Sequence, residues 1–177
     1  MNKFFLLITV LLVSNSVLCQ NNTRVHLKTG VNTIDLNNDG TADTVFMATY
    51  DNNTSHPSET LTVFVKTGKS WFIVPVPDDE GFILADFRLS GSALKVNGVE
   101  LHQLNGIVYL IRGVKYAANG DITDGSKVKF SRYSLAANND DPGTSAFYWE
   151  AAGSYLTEQI FNSVDDAFQT LAMEKFR

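Results

Sequence analysis

Short runs that alternate apolar and polar residues, separated by polar turns, fill most of the chain. This is the two-residue period of strands rather than the 3.6-residue period of helices. Within residues 60–66, Leu61, Val63 and Val65 fall on one strand face, because successive side chains point to opposite faces. Thr67-Gly68-Lys69 makes a turn, and residues 70–76 supply the partner strand of a hairpin. Pro75 and Pro77 end it, since proline has no N–H to give a ladder. Residues 25–28, 31–36 and 42–50 read as three earlier strands, and 51–59 as a polar loop. Residues 93–104 and 107–116 form a second hairpin about Asn105-Gly106, a favoured hairpin dipeptide. Residues 126–135 and 145–152 add two strands, the first alternating Lys127 and Lys129 with Val128 and Phe130. Residues 82–89 fit a strand or a short helix equally well.

The two ends break this pattern. Near the C-terminus Ser163 can cap a helix, and Asp165 and Asp166 suit its positive end. Val164, Ala167, Phe168 and Leu171 then recur at helical spacing, with Lys175 and Arg177 toward the far end. The expected fold is α+β and mainly β: a single antiparallel, sandwich-like domain over residues 20–177, with a C-terminal helix packed on a sheet. Residues 1–19 have the three parts of a secretory signal peptide. Lys3 gives a cationic start, 4–13 an apolar run, and 14–19 a more polar tail with Val17 and Cys19 at the cut. A lipoprotein signal would also end at a cysteine, but it wants a small residue where Leu18 stands. The expectation is a periplasmic or secreted protein, with lipid anchoring at Cys19 the lesser alternative. No later segment has the length and hydropathy of a membrane span.

Composition narrows the chemistry. With 44% apolar and 19% charged residues, the 177-residue chain has the makings of one sizeable core. A net charge of -5 argues against a nucleic-acid partner. The single cysteine excludes an intrachain disulfide framework and a multi-cysteine metal site. His26, His56 and His102 are the only histidines, and none lies in a zinc-binding spacing. His26 and His102 fall in expected strands and read as structural, and His56 lies in a polar loop. Trp71, Trp149, Tyr148 and Tyr155 fit core positions or a ligand site or interface.

One motif has ion chemistry. Asp35-Leu36-Asn37-Asn38-Asp39-Gly40-Thr41-Ala42-Asp43 follows D-x-N-x-D-G-x-x-D. Calcium takes six to eight hard oxygen ligands, and Asp35, Asn37 and Asp39 can turn three inward about the bend at Gly40. The Thr41 carbonyl and the Asp43 carboxylate could close the shell. The same residues also suit a polar hairpin turn, where Asn and Asp bond their own backbone. The spacing resembles the calcium loops of FG-GAP repeats, in one copy only. Asp121-Ile122-Thr123-Asp124-Gly125 lacks the alternating oxygens and reads as a turn.

Hydrolytic motifs are present only on the surface of the text. Ser92 and Lys95, and Ser126 and Lys129, match S-x-x-K, while Lys28-Thr29-Gly30 and Lys66-Thr67-Gly68 match K-T-G. The serine–lysine pair of a β-lactamase works at a helix start, where residues three apart share a face. In strands they point to opposite faces. The expectation is a protein that is not an enzyme.

The stretch LKTGVNTIDLNNDGTADTVFMATYDNNTSHPSETLTVFV, residues 27–65, resembles the carbapenem intrinsic-resistance proteins of the CarG type. FNSVDDAF at 161–168 fits the same pattern loosely. The resemblance implies an exported β-rich homodimer that protects a bacterium against a carbapenem without β-lactam hydrolysis. It carries no catalytic residue over to this chain. Two other functions stay open. One is a calcium-stabilised secreted interaction module with a periplasmic protein as partner. The other is a hydrolase drawing on Asp78, Asp79, Glu80 and Asp86.

Overall fold

Eleven strands, one α-helix and one 3-10 turn occupy the described residues of the computed structural model, which are 22–176 apart from 52, 79, 80, 90, 91, 119 and 141. The expected leader, residues 1–19 with Cys19, lies outside them. A six-stranded sheet holds β1 (Asn22–Arg24), β8 (Lys95–Leu104), β9 (Ile107–Tyr116), β10 (Lys127–Ala137) and β11 (Phe147–Leu156) in that order, with β7 (Phe87–Arg88) also on β8. A five-stranded sheet holds β2 (Gly30–Ile34), β3 (Asp43–Tyr50), β4 (Ser58–Thr67) and β5 (Ser70–Val74), with β6 (Leu84–Ala85) also on β4. Every pairing is antiparallel.

Local chemistry explains the hairpins. Asn105 and Gly106 have φ of 52° and 86°, the double positive turn that matches strand twist. Leu61, Val63 and Val65 are buried together on the inner face of β4, as their alternation requires. They meet Leu101, Val108, Leu110, Tyr133 and Trp149 from the six-stranded sheet, so the main core lies between the two sheets. A second core lies on the outer side of the six-stranded sheet. There Ile111, Val128 and Phe130 pack under Val164, Ala167, Phe168, Met173 and Phe176 of the C-terminal segment. The fold is therefore a sandwich with a third, thinner layer.

Two expectations change, and one left open is settled. Residues 25–28 are not a strand: Val25 N–H still bonds the Leu101 carbonyl at 2.8 Å, and the chain then crosses from one sheet to the other. Val25 and Leu27 pack on the core as they cross, so an alternating pattern is satisfied without a ladder. His26 lies exposed in this crossing rather than in a strand. Residues 82–89 resolve into β6 and β7, one in each sheet, joined at Asp86. The helix is shorter than its apolar spacing suggested. α1 spans Val164–Phe168, capped by the Ser163 hydroxyl, which accepts from Asp165 N–H at 3.3 Å. Leu171 N–H bonds the Phe168 carbonyl three residues back, and the 3-10 turn Met173–Lys175 completes the segment. Leu171 still packs on the second core from outside the helix.

α1 is seated by a pair of glycines. Gly98 and Gly113 face each other across β8 and β9. A Cβ on Gly113 would lie 2.9 Å from both the Phe130 ring and the Val164 side chain. Nothing larger than hydrogen fits beneath the helix there.

Candidate functional site: a step between the two sheets

Register places side chains of one sheet face in rows across the strands, and the inner face of the six-stranded sheet runs from core to solvent row by row. Leu101, Leu110 and Tyr133 form the first row, at 1%, 0% and 4% exposure. Val99, Arg112, Ser131 and Ser154 form the next. Phe87, Asn97, Val114, Lys129 and Leu156 follow, spanning β7 to β11. Here Phe87, Val114 and Leu156 are 50%, 37% and 41% exposed. Tyr116 and Lys127 make the last row, both exposed. The covering sheet stops short of these last rows, and the uncovered end of its partner forms a step. At its foot a cleft of about 270 Å³ lies between Val76, Ile83 and Leu84 on one side and Asn97, Val99 and Arg112 on the other.

The step is apolar and cationic. Its charged side chains are Arg112, Lys127 and Lys129, and neither lysine has an ion-pair partner among the described residues. Asn97 donates to the Ala85 carbonyl at 3.3 Å, while its buried Oδ1 has no hydrogen-bond partner among the described residues. One row inward, Tyr133 donates its hydroxyl to Asp78. Burial and that bond push the phenol up from its ordinary value, and the Arg112 charge works against the rise.

The other charges between the strands are already committed to one another. A smaller cavity of about 150 Å³ opens where residues 24–27 cross, and Arg24, Asp86 and Glu100 line it. Glu100 holds Arg24 at 3.0 Å and His102 Nε2 at 2.8 Å. Asp86 holds Lys95 at 2.9 Å, and Lys95 reaches Asp165 of α1 at the same distance. Burial opposes the Lys95 charge, but the two carboxylates outweigh it and hold its pKa above the usual lysine range. Of the four candidate hydrolytic acids, Asp78 is bonded to Tyr133, Asp86 is paired with Lys95, and Asp79 and Glu80 lie outside the described residues. Of the S-x-x-K pairs, Lys95 is held by two carboxylates while Ser92 Oγ accepts from Leu94 N–H at 3.1 Å. Lys129 stands on the step and Ser126, three residues back, is buried in a bridge to Phe161.

The aspartate loop between β2 and β3 gathers three of its five expected ligands and turns one away. Asp35 accepts from Gly40 N–H at 2.9 Å and Asp39 N–H at 3.2 Å. Asp39 accepts from Thr41 N–H at 2.6 Å and from the Asn37 amide at 3.0 Å, bonds that hold its carboxyl below the usual range. Asn38 and Gly40 take positive φ to make the bend. Thr41 enters through its backbone N–H. Asp43 is fully buried on the inner face of β3 and bonds Leu36 N–H at 3.0 Å and Lys66 N–H at 2.9 Å. Among the described residues, no group of three or more His, Cys, Asp or Glu is placed to hold a metal. Asp121 accepts from Thr123 N–H at 2.9 Å and is a turn, as its spacing indicated.

Sequence reasoning missed the step. Lys127 and Lys129 alternating with buried neighbours was its one visible sign. The rest depends on cross-strand register and on where the covering sheet ends. Trp149 is core, whereas Trp71 is exposed on the outer face of the five-stranded sheet.

Comparison with known proteins comes to the same architecture. A crystal structure of CarG matches with a TM-score of 0.82 and 34% identity, covering 88% of this chain and 99% of that one. No curated protein matches. A family model described as carbapenem resistance protein CarG-like matches residues 27–170. That span runs from the crossing segment through the step to α1, so the chain belongs to the CarG-like family.

Proposed function

We propose that this protein is exported and protects a bacterial cell against a carbapenem by binding, leaving the β-lactam unhydrolysed. The observation that carries the reading is the family match over residues 27–170, in a family described by carbapenem resistance. The signal-like pattern of residues 1–19 supports export. The commitment of Lys95 to Asp86 and Asp165 supports protection without a serine–lysine nucleophile. The test is growth of a carbapenem-sensitive host that exports the protein, with an inert exported protein as control and the drug assayed in the medium. A higher tolerated dose with the drug intact is the expected result. No rise with export verified, or a rise with the drug consumed, overturns it.

The protein acts as a homodimer in this reading, joined through the outer face of the five-stranded sheet. Val31 lies beside Phe46 there, and Phe64 beside Ile73, with Trp71 at the edge. An exposed apolar face of this kind is usual for an interface. Light scattering on the eluting protein should give twice the chain mass, and Phe46→Glu should give one.

A calcium ion in the loop from Asp35 to Asp43 is a second, structural part of the proposal. The Asp35 and Asp39 carboxylates converge on the bend at Gly40, a crowding of like charge that a cation would relieve. The backbone bonds to Asp35 and Asp39 leave lone pairs for a cation. Calcium should raise the melting temperature relative to chelator, and Asp39→Ala should abolish the difference. Equal melts for the native protein remove the site.

A further inference from the structure

We propose that the step between the sheets holds the carbapenem, with the drug's ring carboxylate received by Lys129 and Lys127 beside Arg112 and its body laid on Val114 and Phe87, which flank Asn97 at the mouth of the cleft. This rests on the binding reading above and names its site.

Three features of the step select such a ligand together. First, its charge is inverted relative to the molecule. The chain carries a net charge of -5, yet the charged side chains in the outer three rows are all cationic. Asp78 meets the face one row further in, where it accepts from the Tyr133 hydroxyl. Second, the cations stand within an apolar surface. Val114 adjoins Lys129 across β9 and β10, and Lys129 adjoins Leu156 across β10 and β11. Tyr116 adjoins Lys127. A small inorganic anion would leave that surface wet, and a neutral apolar molecule would leave the ammonium groups unpaired. Third, the cleft at the foot of the step is about 270 Å³, just under the range of drug-sized sites. It suits a compact body rather than a long chain. A carbapenem is a fused bicycle with one carboxylate on the ring, and it meets all three demands.

The lysines can take this role without cost to the fold, because both are exposed and neither is engaged in an ion pair among the described residues. A carboxylate brought to them forms charge-assisted hydrogen bonds, which are the stronger kind.

The test is calorimetric titration of the purified protein with a carbapenem and with the methyl ester of its ring carboxylate. Lys127→Glu/Lys129→Glu is the test variant. Lys69→Glu, in the exposed turn between β4 and β5, is the charge control. The free carboxylate should bind the native protein and the control alike, and the double variant should bind it at least about tenfold more weakly. The ester should bind the native protein about tenfold more weakly and be indifferent to the double substitution. Equal binding by native and double variant, or no binding by the native protein, overturns the site. The growth assay run on the same proteins separates this from the wider reading. Protection that survives the double substitution sinks the step as the site and leaves protection standing. Loss of protection in the native protein sinks both.

Discussion

Asp43 and Lys95 show how a buried charge is decided by its neighbours. Asp43 was expected to face a cation, yet it lies on the same strand face as Val45 and ties β3 to Leu36 and Lys66. Asp43→Ala leaves two backbone N–H groups without that acceptor and should cost about 2 kcal/mol or more, measured by denaturant unfolding. Its alternation with Val45 was readable in the sequence, but nothing there says which amides would meet it. Lys95 pairs Asp86 and Asp165, so Lys95→Met strands a buried carboxylate and should cost about 3–5 kcal/mol. The pH sign follows from its raised pKa. The Lys95 contribution is complete below the unfolded lysine pKa of about 10.4 and is lost as pH climbs through the folded value. Stability measured upward from pH 9 should therefore fall more steeply in the native protein than in Lys95→Met.

Elements were readable wherever the residues within them decided the outcome. The turn at Asn105-Gly106 and the Ser163 cap depend on one or two residues, and both form as expected. Residues 25–28 and the end of α1 depend on distant partners. The first crosses because β1 and β2 belong to different sheets, and the second ends because the chain must bend to bring Met173 and Phe176 onto Phe130 and its neighbours. The Gly98–Gly113 pair belongs to this class too, since nothing near either residue in the chain announces that a helix lands there. Gly113→Ala should therefore destabilise by about 1–3 kcal/mol, read as a lower denaturant midpoint at unchanged slope. The same change at Gly125, whose nearest neighbours are the Ile160 and Asn162 side chains, should be milder.

For the molecule as a whole, the two exposed apolar surfaces lie on different sheets and can be separated by mutation. Phe46→Glu should give a monomer that still binds a carbapenem, and the double lysine variant should give a dimer that binds it at least about tenfold more weakly. Size and binding measured on both proteins check the pair of outcomes together. The interleaving of the sheets also bears on time. His102 Nδ1 meets the Asn22 side chain at 3.2 Å across eighty residues of chain. β2 to β6 can assemble from one continuous stretch, whereas β1 has no partner among the described residues until β8 has appeared. Loop closure over so long a separation is slow to be rewarded. In a refolding experiment with pulsed hydrogen exchange, the amides of Thr23 and Val25, which point to β8, should gain protection in the last phase, after those of β3 and β4. The edge made first is the edge finished last.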